Sequence, residues 1–425
     1  MNAPTETKVH EAARREDLLR LTGSAGANKI MEAELLRLVK RSPFHVRVPA
    51  AKRDGDSTLL YPFMREIAWV AACYHRSSSR ISWDLWSSPA DRLEPLFADL
   101  VPLIVKDDRL DLGTRSLRFT VEVRGAADFE AGPLQVRGVV KNALVDGLAR
   151  RGIEASVDED RPDIEIAVRR GGPDDARRTI ISLDLGGGAR HRRGDPSASR
   201  GERVAIVEAP MRETLAAQLV LFSKWDARSE PLIDPMAGGG SIPIEAAHLA
   251  TGHAVRKPLW LLIARHPIFD GLPAETPDLF AGTQPRILCG DREEKAIPAM
   301  IGNLRAGGLT GPEREAWVTV RSMDMRELTP EVVREVWPNA DLSHGVFCMN
   351  PPYGHRLGAD DEPALLALYQ DMGRAFARFP GWRVAVFVAH AGFAMAFERG
   401  YGREPRIKKP ASNADLRGWF FLFER

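Results

Sequence analysis

The stretch DPMAGGGSIPIEAA, residues 234–247, decides which fold the sequence predicts. It joins an apolar run, PLID, to a glycine-rich turn and then to a segment with helical spacing. The three glycines permit positive φ and close approach of a ligand, and the free N–H groups of the following helix favour a carboxylate or phosphate. A dinucleotide GxGxxG pattern would need glycine where Pro243 stands, and the Gly-Lys pair of a phosphate loop is missing. A tight turn without a ligand is the alternative interpretation.

On both sides of this stretch, from about residue 204 onward, apolar strand-like runs alternate with helical segments. Several runs end in an acid or an asparagine, and these strand-end residues are Asp234, Asp291, Asp324 and Asn350. The alternation predicts a doubly wound α/β fold with a mostly parallel sheet. Ligands of such sheets bind at the carboxyl ends of the strands, near the point where strand order reverses. The four strand-end residues are therefore expected to share one crevice.

Two of the strand-end acids can bind parts of a nucleoside. Asp291, at the end of RILCGD, can accept both hydroxyl groups of a ribose. Asp324, in RSMDMREL, can accept an adenine amino group, with Met323 and Met325 as apolar contacts for the ring. Each acid also has an ordinary alternative as a helix N-cap or a solvated loop residue.

The run FCMNPPYGHRLG, residues 347–358, predicts a rigid corner after a strand, because two prolines fix φ and remove backbone donors. The Asn350 side-chain oxygen and the Pro351 carbonyl can hold the two hydrogens of an exocyclic amine on a nucleobase. Tyr353 offers a face on which a flipped or unpaired base can stack. The alternative is an ordinary proline turn with a packed tyrosine.

Composition and charge limit the possible settings of the chain. The 425 residues carry 59 Lys and Arg against 58 Asp and Glu, so any basic surface must be local. The three cysteines fit neither a disulfide framework nor a zinc site, which favours a reducing, cytoplasmic setting. No secretory signal is visible, and the longest apolar runs are too short to span a bilayer, so no membrane role is expected.

The region before residue 204 has a different texture. Residues 1–28 read as a mobile leader, and strand and helix patterns mixed from there to about residue 185 predict an α+β region. Residues 186–203, GGGARHRRGDPSASRGER, break all periodicity and are predicted to be a linker. Its arginines are expected either to contact phosphates or to form a solvated tether: Arg190, Arg192, Arg193, Arg200 and Arg203.

The order and spacing of DPMAGGGSIPIEAA, GDREEKA, SMDM and NPPYGHRLG resemble class I S-adenosylmethionine-dependent methyltransferases of the N-methylating NPPY type. APMRETLAAQLVL, the basic linker and the closing KKPASNADLRGWFFLFE narrow the resemblance to the THUMP-containing RNA guanine-N2 methyltransferases, which modify transfer RNA or large-subunit ribosomal RNA. The resemblance covers about residues 100–425. It implies a ferredoxin-like segment at 29–99, a THUMP RNA-binding domain at 100–185 and a Rossmann-like methyltransferase domain at 204–425.

The resemblance also implies roles for individual residues. The donor S-adenosylmethionine would be held by Asp234, Gly238, Gly240, Asp291, Asp324 and Asn350, and the target base by Asn350, Pro351 and Tyr353. The family's Cys-Gly-Ser-Gly-Thr after Asp-Pro is replaced here by Ala-Gly-Gly-Gly-Ser, which implies weaker side-chain support for the donor. His355 stands where an acid is frequent, and Asn413-Ala414 replaces Asn-Gly.

The function expected from these features is methylation of a guanine N2 in structured RNA by direct transfer without a metal, with transfer RNA favoured over large-subunit ribosomal RNA. Methylation of adenine N6 in RNA or DNA is the nearest alternative. An RNA-binding protein whose methyltransferase half has decayed is a third, suggested by the altered glycine turn. The sequence does not indicate the target nucleotide, the number of methyl groups or the oligomeric state.

Overall fold

A computed structural model of the chain describes residues 12–125, 128–172, 176–197, 205, 211–309, 316–353, 362–414 and 416–424. The amino-terminal part contains helices α1 (Asn28–Arg41), α2 (Arg65–Tyr74), α3 (Leu93–Val105) and α4 (Pro133–Ala149). Its strands are β1 (Arg14–Thr22), β2 (Lys52–Arg53), β3 (Thr58–Pro62), β4 (Arg80–Ser88), β5 (Ser116–Val123), β6 (Glu154–Val157), β7 (Ile164–Gly171) and β8 (Arg178–Asp184). They form one sheet in the order β2-β3-β1-β4-β8-β7-β5-β6.

The mobile leader predicted for residues 1–28 is wrong for the part that the structure describes. Strand β1 lies inside the sheet, antiparallel to both β3 and β4, and α1 begins at Asn28. Leu19 and Leu21 are fully buried on one face. Arg20 points to the other face, where its guanidinium lies 2.8 Å from the Asp84 carboxylate. The charge of Arg20 is therefore neutralised within the sheet.

The amino-terminal sheet does not follow the predicted division at residues 99 and 100. That boundary falls inside α3, and β4 pairs directly with β8, so one sheet and one apolar core span both predicted units. The α+β character of the region is confirmed, with the expected strands β5, β7 and β8 and the expected helix α4. The assignment of a ferredoxin-like segment and a THUMP domain remains a prediction.

The carboxyl-terminal part contains helices α5 (Glu213–Phe222), α6 (Ser241–Thr251), α7 (Ala296–Ala306), α8 (Pro330–Val336), α9 (Glu362–Phe376) and α10 (Phe393–Tyr401). Its strands are β9 (Pro231–Asp234), β10 (Arg286–Asp291), β11 (Val318–Ser322), β12 (Gly345–Met349), β13 (Trp382–Val388), β14 (Ile407–Asn413) and β15 (Leu416–Glu424). The sheet order is β11-β10-β9-β12-β13-β15-β14. The first five strands in this order are parallel, and the last two are antiparallel to their neighbours.

This sheet confirms the predicted doubly wound α/β fold. Apolar cores cover both of its faces, one including residues of α5, α6 and α7 and the other including residues of α8, α9 and α10. The chain runs outward from β9 to β11 and then returns to pair β12 with the other side of β9. Strand order thus reverses between β9 and β12, which is where such folds bind ligands. Among the described helices, none combines the length and apolar character needed to cross a membrane.

The predicted basic linker is a packed interface over residues 186–197. Arg190 is fully buried and donates hydrogen bonds to the carbonyls of Ala72 and His75, at 2.8 and 2.7 Å. Arg193 is also buried, and its Nε donates to the Glu245 carboxylate at 2.8 Å. The predicted phosphate contacts of these two arginines, and the alternative of a solvated tether, are therefore wrong. Arg192 is exposed and its phosphate contact stays a prediction, whereas Arg200 and Arg203 lie outside the described residues.

Candidate active site

The glycine turn between β9 and α6 is tied to the end of β10. Gly238 and Gly240 have φ of +51° and +85°, a region that favours glycine. The Gly238 N–H donates to Asp291 Oδ2 at 3.0 Å, and the Ala237 N–H donates to the Gly290 carbonyl at 2.9 Å. A Cβ on Gly240 would lie 3.0 Å from Met300 Cγ. The turn is therefore a backbone segment held in place at the carboxyl edge of the sheet.

Asn303, on α7, holds the same turn from outside and was missed in the sequence. Its Nδ2 donates to the Gly239 carbonyl at 2.9 Å and to the Ala205 carbonyl at 3.0 Å, while its Oδ1 accepts the Ala205 N–H at 2.9 Å. Asn303 is almost fully buried. A polar residue within the apolar pattern of a helix was the available signal, but only its burial shows that it has a structural partner.

Asp234 is a buried acid at the end of β9. Its Oδ1 accepts the Met236 N–H at 3.2 Å, and its Oδ2 has no hydrogen-bond partner among the described residues. Burial raises the pKa of Asp234 well above its ordinary value, and the nearby Asp291 raises it further, against the Met236 hydrogen bond. A buried acceptor without a partner is costly, so this oxygen suits a ligand that brings a donor or a positive charge.

Asp291 and Asp324 end the next two strands and bond to nearby groups. Asp291 Oδ1 accepts the Glu293 N–H at 3.0 Å, so both of its oxygens bond to backbone. Asp324 forms an ion pair with Arg326 at 2.7 Å and caps a short 3₁₀ helix by accepting the Arg326 N–H at 2.9 Å. The hydrogen bond from the Arg326 side chain lowers the pKa of Asp324. The capping role considered for Asp324 is observed, and its adenine contact stays a prediction.

Asn350 follows β12 and begins the predicted corner. Its Oδ1 is buried and lacks a hydrogen-bond partner within the described part of the chain. Pro351 is buried, and the Pro352 carbonyl accepts a hydrogen bond of 2.7 Å from the Tyr369 hydroxyl on α9. Tyr353 packs edge-on against Phe387, with ring centroids 6.2 Å apart. The corner is therefore held from two sides, while the Asn350 Oδ1 acceptor has no partner among the described residues. Residues 354–361, including His355, lie outside the described residues.

Strand pairing places the predicted residues along one edge. Parallel pairing sets Asp234 opposite Cys289 and Asp291 opposite Ser322, and the pairing of β9 with β12 sets Ile233 opposite Phe347. Four neighbouring strands thus end at the edge that carries the glycine turn and the Asn350 corner. The expectation of a shared edge agrees with the structure, whereas the binding roles remain predictions. Over the described residues, no group of three or more His, Cys, Asp and Glu side chains is arranged to hold a metal.

A family model described as UPF0020, RMKL-like, methyltransferase domain, matches residues 200–412, half of the chain. The chain belongs to this family. The match covers the glycine turn, all four strand-end residues and the Asn350 corner. The resemblance drawn from the sequence motifs is therefore confirmed at the level of the methyltransferase family.

Curated relatives of this RMKL-like domain carry the name ribosomal RNA large subunit methyltransferase K/L. The protein from Syntrophotalea carbinolica is 35% identical over 60% of this chain and 34% of its own length. That from Aliivibrio salmonicida is 31% identical over 68% of this chain and 40% of its own length. The chain thus spans between about a third and two fifths of the length of these relatives.

Two solved structures are similar to this RMKL-like protein over nearly its whole length. One is described as "a predicted N6-adenine-specific DNA methylase" from Listeria monocytogenes, with a TM-score of 0.67, 22% identity and coverage of 96% of this chain and 95% of that one. Another is SMU.472 complexed with SAH, with a TM-score of 0.69, 22% identity and coverage of 97% and 98%. At these identities the likeness establishes the fold, including the amino-terminal part.

Proposed function

We propose that this RMKL-like protein methylates the exocyclic N2 amine of a guanosine in structured RNA, with S-adenosylmethionine as the methyl donor. The observation that carries the proposal is the buried Asn350 Oδ1, which lacks a partner among the described residues although it sits on a rigid corner. Because β12 pairs with β9, Asn350 follows a strand that ends at the same edge as the glycine turn, which is where this fold binds its ligand.

The residues at the glycine turn fit the proposed donor. The positive φ of Gly238 and Gly240 shapes the turn proposed to hold its methionine part, and Asp234 Oδ2 is a buried acceptor without a partner in the described residues. Asp291 is proposed to bind the ribose, because each carboxylate oxygen that accepts one backbone N–H retains a second lone pair. Asp324 is proposed to face the adenine. The donor, when bound, supplies a methyl group activated by attachment to a positive sulfur.

The Asn350 corner is proposed to orient the nucleophile. The lone pair of a guanine amine is delocalised into the ring, which makes the nitrogen a weak nucleophile. Asn350 Oδ1 and the Pro351 carbonyl would accept its two hydrogens and favour the pyramidal form, while Tyr353 would stack on the base. The nitrogen then gains the methyl group, the carbon–sulfur bond breaks, and one held proton leaves to water. Tyr369 acts as a positioning residue, because it fixes the Pro352 carbonyl.

The sequence resemblance and the names of the relatives favour different RNA substrates. The sequence resemblance places transfer RNA first, whereas the relatives are named for large-subunit ribosomal RNA. These names favour ribosomal RNA as the substrate to test first. The amino-terminal part, which is proposed to contain the THUMP domain, would capture the RNA. A cytoplasmic setting is proposed with it, and the free, buried state of Cys73, Cys289 and Cys348 is compatible with a reducing compartment.

The test is incubation of the protein with methyl-labelled S-adenosylmethionine and, separately, large-subunit ribosomal RNA and transfer RNA, followed by mass analysis of the nucleosides. N2-methylguanosine is expected, at one mapped position. Formation of N6-methyladenosine alone would replace the proposal by the adenine alternative. Absence of both methyl transfer and calorimetric donor binding would support the decayed methyltransferase instead. Asn350→Ala serves as the matched control and is expected to bind the donor while transferring the methyl group about 10²–10³-fold more slowly.

A further inference from the structure

A cleft of about 650 Å³ lies between the amino-terminal part and the methyltransferase domain, away from the glycine turn. Helix α1 forms one wall, and the end of α5 with the following loop forms another. We call it the basic cleft, and its charged lining residues are Arg37, Lys40, Arg41, Lys224, Asp226 and Arg228. The floor is apolar and includes Val220, Leu249 and Phe280.

The charge of the basic cleft differs from that of the whole chain. Five cations and one acid line it, although the chain as a whole has a net charge of +1. Within the described residues, none of the five cations forms an ion pair, and the Asp226 carboxylate accepts hydrogen bonds from the Arg228 N–H and the Ser229 hydroxyl. The cleft therefore concentrates positive charge that the described residues leave largely uncompensated.

The exposed face of the amino-terminal sheet shows the opposite arrangement. There, two arginines have carboxylate partners: Arg118 pairs with Asp163 at 2.9 Å, and Arg124 pairs with Glu122 at 2.7 Å. Paired charges of this kind largely cancel each other at a distance. A polyanion approaching the molecule would therefore be attracted more strongly by the basic cleft than by this sheet face.

Arg37 is held in position within the basic cleft. Its guanidinium carbon lies 4.3 Å from the centre of the Phe280 ring, and Nη2 donates to the Leu249 carbonyl at 3.4 Å. Partial removal from water lowers the pKa of Arg37, and the charges of Arg228 and Arg41 lower it further, against Glu34 and Asp226. An anion would relieve the repulsion among these three arginines. An ordered guanidinium also pays less entropy when it binds a phosphate.

We propose that the basic cleft binds the phosphodiester backbone of the RNA substrate, at a site remote from methyl transfer. The choice of RNA rests on the proposed function, and the location rests on the charges and shape described above. The role proposed for the cleft is electrostatic, because its five cations offer phosphate contacts.

Helix α6 connects the two sites. It begins at Ser241, directly after the glycine turn, and Leu249 and Ala250 near its other end line the basic cleft. The 11 residues of α6 correspond to a length of about 16 Å. A structured RNA that presents its target base at the carboxyl edge of the sheet can therefore lay another part of its backbone in the cleft. Such a second contact would orient the RNA without touching the reacting base.

Stabilisation of the helices would explain only some of the five cations in the basic cleft. Lys40 and Arg41 lie in the last turn of α1, and Lys224 follows the end of α5, where cations favourably complement helix dipoles. Arg37 lies in the body of α1, and Arg228 lies in the loop before β9. Helix stabilisation therefore does not account for these two arginines or for their convergence on one cleft.

The test compares two triple variants of the full chain with equal changes in charge. The cleft variant carries Lys40→Gln, Lys224→Gln and Arg228→Gln, all at exposed positions. The control variant carries Arg334→Gln, Arg399→Gln and Arg403→Gln, which are exposed and lie on or beside α8 and α10, on the other face of the sheet. Binding of transcribed large-subunit ribosomal RNA is measured across a salt series for both variants and for the unmodified protein.

The cleft variant is expected to bind RNA at least about tenfold more weakly and to reduce the slope of log affinity against log salt by about two to three. The control variant should change the slope by less than one. Equal slopes for the two variants would overturn the proposal, as would a cleft variant that lost only thermal stability. Calorimetric binding of tripolyphosphate that the cleft substitutions abolish, with RNA binding unchanged, would also overturn it and indicate a small-anion site.

The readouts separate this inference from the proposed function. RNA binding that depends on the cleft, in a protein that methylates no guanosine, would refute the enzymatic proposal and support the cleft. Normal guanosine methylation with cleft-independent RNA binding would refute the cleft and support the enzymatic proposal. Donor affinity, measured by calorimetry, should be the same in all three proteins, because none of the six substituted residues lies at the glycine turn.

Discussion

Two buried polar regions flank helix α6 and differ in how their polar atoms are used. At the interface between the two parts of the chain, both oxygens of Glu245 accept hydrogen bonds from Arg76 and Arg193, at 2.7 and 2.8 Å for the shortest contacts. At the carboxyl edge of the sheet, Asp234 Oδ2 and Asn350 Oδ1 have no partner in the described part of the chain. We call these regions the interface cluster and the sheet-edge acceptors.

The difference separates a structural role from a functional one. A buried polar group normally has a hydrogen-bond partner, since leaving it without one costs about 1–3 kcal/mol. The interface cluster meets this requirement internally and joins the amino-terminal part to α6. The sheet-edge acceptors do not, although the Tyr369 hydroxyl holds the corner that begins at Asn350. We infer that these two acceptors are kept for groups that arrive with the donor and the target base.

The strongest test of the comparison is removal of the charge at the interface cluster. Glu245→Gln leaves Arg76 and Arg193 buried without a counter-charge, so the free energy of unfolding is expected to fall by about 3–5 kcal/mol. Denaturant unfolding followed by circular dichroism measures it. The control is Asp146→Asn, which breaks an exposed pair with Arg150 and should cost about 0.5 kcal/mol or less. Equal losses in both variants would contradict the assigned role of the cluster.

The pH dependence of stability extends the same test. Although burial alone raises the pKa of Glu245, the charges of Arg193 and Arg76 outweigh it and hold the pKa below its ordinary value of 4.5. The stabilisation from this depressed pKa is therefore present above 4.5 and is lost as the pH falls through the folded-state pKa. Asp234, whose pKa is raised, behaves oppositely: its contribution is lost as the pH rises through its folded-state pKa. Glu245→Gln should therefore flatten the acid side of the stability profile.

Removal of the Asn350 acceptor should affect activity rather than stability. Asn350→Ala is expected to lower kcat by about 10²–10³-fold, the range found when one group that stabilises a transition state is removed. Thermal unfolding and calorimetric donor binding should remain close to those of the unmodified protein. Asn350→Asp keeps an acceptor oxygen and is expected to retain part of the activity. Full activity in Asn350→Ala would show that the Asn350 side chain is not needed for methyl transfer.

The carboxyl-terminal fold could be predicted because its signals are local. Each apolar run with a polar end is a strand pattern that needs no knowledge of distant residues, and the carboxyl-edge rule then brings the strand ends together. The charged strand β1 could not be recognised in this way. Arg20 is neutralised by Asp84, 64 positions away, and this partner is not visible in the local sequence.

The same reason explains the errors at the candidate site and the linker. Arg193 resembles a solvated arginine until Glu245, 52 positions away, is placed beside it. Asn303 supports the glycine turn across 64 positions, and the hydroxyl of Tyr369 supports the corner across 17. The strand-end position of the proposed ligand-binding residues could be predicted from local patterns, whereas the residues that hold them in place depend on tertiary contacts.

The glycine turn offers a test of intermediate size. Gly240→Ala places a side chain at φ of +85° and close to Met300, so stability should fall by about 1–2 kcal/mol, and donor affinity should fall about tenfold. Gly402→Ala is a matched control, because Gly402 has φ of +81° with no atom near the added Cβ. It should lose stability through backbone strain but keep donor affinity. Equal donor affinity in the two variants would show that the glycine turn does not contribute to donor binding.

The smallest effect is expected from loss of the Tyr369 hydrogen bond that supports the Asn350 corner. Tyr369→Phe removes the hydrogen bond to the Pro352 carbonyl, a contribution of about 0.5–1.5 kcal/mol, so kcat should fall by up to about tenfold with KM for RNA nearly unchanged. Tyr61→Phe is the control, because the buried Tyr61 hydroxyl has no partner among the described residues and its removal should be close to neutral. A stability loss in Tyr369→Phe with unchanged kcat would mean that the hydrogen bond supports the fold alone. A fall in kcat that leaves donor affinity intact would instead show that the rigidity of the corner contributes to methyl transfer.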